Sequence, residues 1–142
     1  MSARREDILN TFWDDEAVDV LSNHAVLLYL WSFTNPRCGM AGVYACKRRG
    51  LCDGRLTKAQ LGKAIGDLSE ARFLFYVDGW VWVRSRVRHL STINPNIARS
   101  IDRDLHGLPD AHEYRGAFWA EYHAHGKLTT AYGKAGLEIP HG

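Results

Sequence analysis

The 142-residue sequence predicts an α+β fold, mostly helical. Three observations carry that expectation: apolar residues recur at helical spacing in several segments, Asp78-Gly79 separates two aromatic and β-branched runs, and capping residues stand where the helical patterns begin. Hydrophobic residues at 46% and charged residues at 24% are ordinary globular usage and exclude a wholly disordered chain.

Along the chain, Asp14 is placed to cap a short helix that turns Ala17, Val18 and Leu21 inward. Ser22 or Asn23 caps a stronger helix over 23–34, with Val26, Leu27, Leu30, Trp31 and Phe33 expected inside. Asn35-Pro36 ends it, because proline cannot continue a helix. Residues 41–45 are a short strand candidate, and residues 46–53 a short helix candidate weakened by Gly50. Thr57 then caps a helix over 58–71, with Leu61, Ala64, Ile65, Leu68 and Arg72 on one face. Asp-Gly tolerates positive φ, so 73–76 and 80–83 form a hairpin. A helix over 95–105 carries Ile97, Ile101 and Leu105. Asp110 and Glu113 read as a capping box for a helix over 111–125 with Tyr114, Phe118 and Tyr122.

Helix, strand, short helix, longer helix and hairpin is the order of a winged helix-turn-helix. The chain is therefore expected to comprise a winged-helix DNA-binding domain over 1–92, two added C-terminal helices over 93–126 packed on it, and a mobile tail over 127–142 punctuated by Gly133 and Gly136. Trp119 lies one residue off its helix stripe and faces either a homodimer partner or the edge of its own core.

The net charge of +2 hides an uneven distribution. Residues 1–36 carry −4, residues 37–99 carry twelve Lys/Arg against four Asp/Glu, and residues 100–142 carry −2. A basic module between acidic ends suits a polyanion. In the recognition helix, Ala59, Lys63, Gly66 and Glu70 turn outward, flanked by Gly62 and Asp67. Lys58, Gln60 and Lys63 are the candidates to read or position on a major groove. Lys47, Arg48, Arg49 and Arg55 lie where a positioning helix crosses the DNA backbone. If the second wing strand continues past Val83, Arg84, Arg86 and Arg88 alternate beside Trp80 and Trp82, arginines for phosphate and indoles for stacking. The bland alternative packs both indoles on the amino-terminal helices.

Catalytic and metal chemistry find little support. Cys38, Cys46 and Cys52 form no C-x-x-C pair, and no nucleophile elbow, Walker loop or G-x-G-x-x-G occurs. No cofactor and no metal are expected. Three irregular cysteines and an amino terminus without an apolar leader region suggest a cytoplasmic protein with reduced thiols, and no apolar run is long enough for a membrane span.

Several strings, in order, resemble a known family: Phe12-Trp13-Asp14, the stretch 21–30, Asn35-Pro36, Gly39 to Tyr44, and Trp80 to Val83 followed by Asn94-Pro95-Asn96. They are similar to the amino-terminal winged-helix domain of phage replisome-organiser and primosomal DnaD-like proteins. The resemblance implies a non-catalytic protein that binds double-stranded DNA, often at a phage replication origin, with replication proteins as further partners. A small transcriptional regulator, or a winged helix used for protein contact, is compatible with the same residues.

Overall fold

The computed structural model describes residues 10–140. Arg4, Arg5, Glu6 and Asp7, counted above in the acidic amino-terminal charge, lie outside them. Six α-helices and three strands follow in order, joined in places by 3-10 turns: α1 Glu16–Asp19, α2 Asn23–Thr34, β1 Val43–Ala45, α3 Lys58–Glu70, β2 Leu74–Val77, β3 Trp80–Val83, α4 Pro95–His106, α5 Glu113–Tyr122 and α6 Gly126–Lys134.

The strands form one antiparallel sheet in the order β1-β3-β2. The hairpin closes through Asp78 and Gly79 at φ 53° and 82°, the two positive dihedrals that a two-residue turn of this kind needs. Successive residues of each strand point to opposite faces, and here both faces are covered. Tyr44, Leu74, Val81 and Val83 join a core with Ala25, Leu28, Leu61, Ala64 and Leu68 of α2 and α3. Val43 and Trp82, flanked by Phe75, Val77 and Trp80, join a second core with Ile101, Tyr114, Phe118, Tyr122 and Tyr132. Trp80 and Trp82 therefore pack beneath the C-terminal helices, neither on the amino-terminal helices nor in solvent. The Trp82 ring centroid lies 5.7 Å from that of Tyr114.

Five sequence expectations need correction. Asp15, not Asp14, caps α1, its carboxylate accepting from Ala17 N at 2.9 Å. Helix α2 buries Ala25, Leu28, Tyr29 and Ser32, while Leu27 is 41% exposed. Its residues are apolar nearly all round, so spacing marks no single face. Arg72, placed inward, is exposed: α3 ends at Glu70, and Arg72 takes φ 64° as the left-handed residue of a Schellman motif, with Phe73 N donating to Leu68 O at 2.9 Å and Arg72 N to Ser69 O at 3.1 Å. Helix α5 starts at Glu113 and is capped by His112, whose Nδ1 accepts from Tyr114 N at 3.1 Å, so the Asp110–Glu113 box is not used. Finally, the segment expected to be a tail carries α6, a third added helix, and buries Leu128, Ala131 and Tyr132. His141 and Gly142 lie outside the described residues.

That last helix also answers Trp119. The side chain is 6% exposed and meets the Tyr132 ring edge-on at 5.0 Å, so the partner is inside the chain and the dimer contact at this residue is withdrawn.

Candidate nucleic-acid interface

Helix α3 starts where its cap dictates. The Thr57 hydroxyl accepts from Gln60 N at 3.2 Å, and Gln60 Oε1 accepts from Thr57 N at 2.9 Å, a reciprocal capping box. Leu61, Ala64 and Leu68 then fall inside, and Ala59, Lys63, Gly66 and Glu70 are exposed, as the rotation predicts. Lys58 is exposed in the first turn. Gln60 spends its carbonyl on the cap, which leaves only its amide to donate outward. Lys63 Nζ stands 3.3 Å from both Asp67 oxygens, and Asp67 also accepts from Ser22 Oγ at 3.4 Å. An exposed pair at this spacing is worth only about 0.3–0.5 kcal/mol, so it yields readily to another anion.

The segment before α3 is unusual. A 3-10 turn over Arg48–Gly54 breaks at Leu51, and Cys52, Asp53 and Gly54 follow with φ of 55°, 52° and 70°. Three left-handed residues in succession reverse the chain sharply. The reversal drops Leu51 and Cys52 into the core and leaves Lys47, Arg48, Arg49 and Arg55 exposed. Arg48 reaches across to α3: a β-carbon on Gly62 would stand 3.4 Å from its Nη2. The basic turn and the exposed helix face are thus one surface. Burial pushes the Cys46 and Cys52 thiols up, away from the thiolate form.

The three wing arginines sit elsewhere than expected. Strand β3 ends at Val83, opposite Leu74 at the start of β2; one further bond, Arg84 N to Phe73 O at 3.1 Å, closes the pairing before Arg72 turns the chain left-handed. Residues 84–86 form a turn, tied to α2 through Tyr29 Oη and Ser85 Oγ at 3.2 Å. Arg84 Nε donates to Arg72 O at 2.7 Å, and Arg84 Nη1 to Glu121 Oε1 at 2.8 Å. Arg88 pairs with the same carboxylate and lies 5.7 Å over the Tyr122 ring. Arg86 is 7% exposed and donates from Nε to Gly39 O at 3.3 Å. Arg84 and Arg88 staple the segment after the hairpin to α5 through Glu121, and Arg86 ties it to Gly39. The expected alternating row of Arg84, Arg86 and Arg88 on one strand face does not form.

No family model matches this chain, and neither a curated protein nor a solved structure is significantly similar to it.

One cation escaped the sequence reading. Arg37 stands alone after Asn35-Pro36, with no basic run to mark it. The sheet brings it to Lys47 and Arg49 around a cleft of about 400 Å³ beside the hairpin turn. Elsewhere, an open groove of about 1070 Å³ runs between α4, α5 and the C-terminal segment, past His106, Arg115, Trp119 and His123. Among the described residues no three His, Cys, Asp or Glu are grouped to hold a metal ion, and no helix is long and apolar enough to cross a membrane.

Proposed function

We propose that this chain is a winged helix that binds duplex DNA without catalysis. The helix–strand–turn–helix–hairpin order and the β1-β3-β2 sheet support the winged-helix reading. The observation that carries DNA binding is the closeness of Arg48 to Gly62, which joins a four-cation turn to the exposed face of α3. In this reading the Gln60 amide and Lys63 enter the major groove, and Lys47, Arg48, Arg49, Arg55 and Lys58 hold phosphates. Ala59 and Gly66 keep the helix face low enough for close approach, and Gly62 makes room for the Arg48 guanidinium beside it. Arg84 and Arg88 act through Glu121 as positioning residues for the hairpin. An origin or an operator fits such a surface equally, and the replication assignment rests on the resemblance alone.

Protein contact is the second reading, favoured by Trp13 at 63%, Val20 at 81% and Leu27 at 41% exposure near the acidic amino-terminal helices. Anisotropy of a labelled duplex of about two helical turns separates the two. The paired change Arg48→Gln and Lys58→Gln should weaken binding about tenfold or more at low salt, through two lost phosphate contacts. Unchanged affinity overturns the DNA reading.

A further inference from the structure

Arg37 has a rigid backbone under an exposed side chain. Asn35 is buried, and its Nδ2 donates to the carbonyls of Trp31 at 2.8 Å and Ser32 at 3.1 Å and to Tyr44 Oη at 3.0 Å. Asn35 Oδ1 accepts from Arg37 N at 3.0 Å, which fixes where the arginine departs. Across β1, Cys46 N donates to Gly79 O at 2.9 Å, and Tyr76 Oη donates to Cys46 O at 2.7 Å. Those two bonds pin the hairpin turn to the start of the basic 3-10 segment. Between the two fixed points lies the cleft of about 400 Å³, lined by Arg37, Lys47, Arg49, Gly50, Gly79 and the Ala45–Cys46 strand end.

Three cations line this cleft, and no carboxylate does. Among the described residues none of the three forms an ion pair. A concave wall of one charge sign focuses its potential and concentrates counter-ions. At the Cys46 thiol, burial pushes upward, Arg37 pulls back, and the Asp53 carboxylate adds a smaller upward push, so the Arg37 charge outweighs that of Asp53 there. Nothing stands within 4 Å of a β-carbon on Gly79, so that side of the mouth is open.

We infer that this cleft seats a phosphate group, held by Arg37, Lys47 and Arg49. It rests on the DNA reading for its source: a backbone phosphodiester running between the 3-10 turn and the hairpin tip. A free phosphate presents the same chemistry.

The test uses the full chain labelled with nitrogen-15, titrated with inorganic phosphate at constant ionic strength against a chloride control. Arg37→Gln is run in parallel, and duplex affinity is measured for both proteins. The variant keeps the Asn35 contact, which the Arg37 backbone makes. The expected result is a saturable shift of the Gly50 and Gly79 amides with phosphate alone, lost in Arg37→Gln. The variant should also bind every duplex more weakly, with its salt slope reduced by about 1. A phosphate response in a protein that binds no duplex keeps the seat for free phosphate and ends the DNA reading. A phosphate response with duplex affinity untouched by Arg37→Gln overturns the phosphodiester as the source. Absence of any phosphate response overturns the seat, and wild-type duplex binding in that case leaves the DNA reading standing.

Discussion

Arg48 lies against α3 at Gly62, with its Nη2 3.4 Å from the place a β-carbon would occupy. A glycine in mid-helix costs about 0.5–1 kcal/mol relative to alanine. At Gly62 the missing side chain leaves room for a guanidinium beside the helix. At Gly66, one turn on, a β-carbon would meet nothing within 4 Å, so the fold gives no reason for glycine there.

Gly66→Ala should therefore raise stability by about 0.5–1 kcal/mol in thermal unfolding. If a duplex approaches this face closely, the same change lowers DNA affinity although the protein is more stable. A stabilised variant with undiminished affinity would show that nothing approaches α3 at Gly66.

Glu121 is shared by Arg84 and Arg88 and is 13% exposed. Glu121→Gln leaves two cations with a weaker acceptor beside the hairpin, and should cost about 2 kcal/mol of stability in denaturant unfolding. Its duplex affinity, measured where the variant is folded, should stay within about twofold, because neither arginine is assigned a phosphate. A gain of an order of magnitude would mean that the carboxylate was holding two DNA ligands back.

Arg72 occupies φ 64°, and its functional contact is made by its backbone carbonyl, which accepts from Arg84. Arg72→Gly relieves the left-handed strain without touching that bond. A stabilisation of about 0.5–1 kcal/mol is expected by calorimetry. A destabilised variant would mean that the Arg72 side chain makes a contact that outweighs the strain.

His89 follows Arg86 and Arg88 in sequence. Desolvation first, then those two positive charges, holds its imidazole below the ordinary histidine value. The unfolded chain then binds the proton more readily, so the contribution of His89 is present above about pH 6.5 and fades as pH falls through its lowered value. Stability measured from pH 7.5 down to 5 should fall less steeply in His89→Gln than in the wild type. Identical slopes would remove His89 from the acid response.

The readable parts of the sequence were those with local causes. The Thr57 cap, the stripe of Leu61, Ala64 and Leu68, and the Asp78-Gly79 turn each act within a few residues; the reciprocal bond from Gln60 to that cap is visible only in the structure. Helix α2 has apolar residues on every side, and only the sheet selects its buried face. Helix α6 was hidden by Gly126 and Gly133, although Leu128, Ala131 and Tyr132 stand at the spacing of a helix face. Period-two alternation places Arg84, Arg86 and Arg88 on one face only while a strand continues, and past Val83 the chain turns. Arg37 joins Lys47 and Arg49 only through tertiary structure, and no local pattern announces that.

The most direct measurement is the affinity of the wild-type protein for duplex DNA across a salt series. Phosphate contacts from Arg37, Lys47, Arg48, Arg49, Arg55 and Lys58 give a linear fall of log affinity with log salt, with a slope of about −5 at roughly −0.9 per contact. A flat dependence, or no binding at low salt, would contradict a basic DNA-binding surface on this chain.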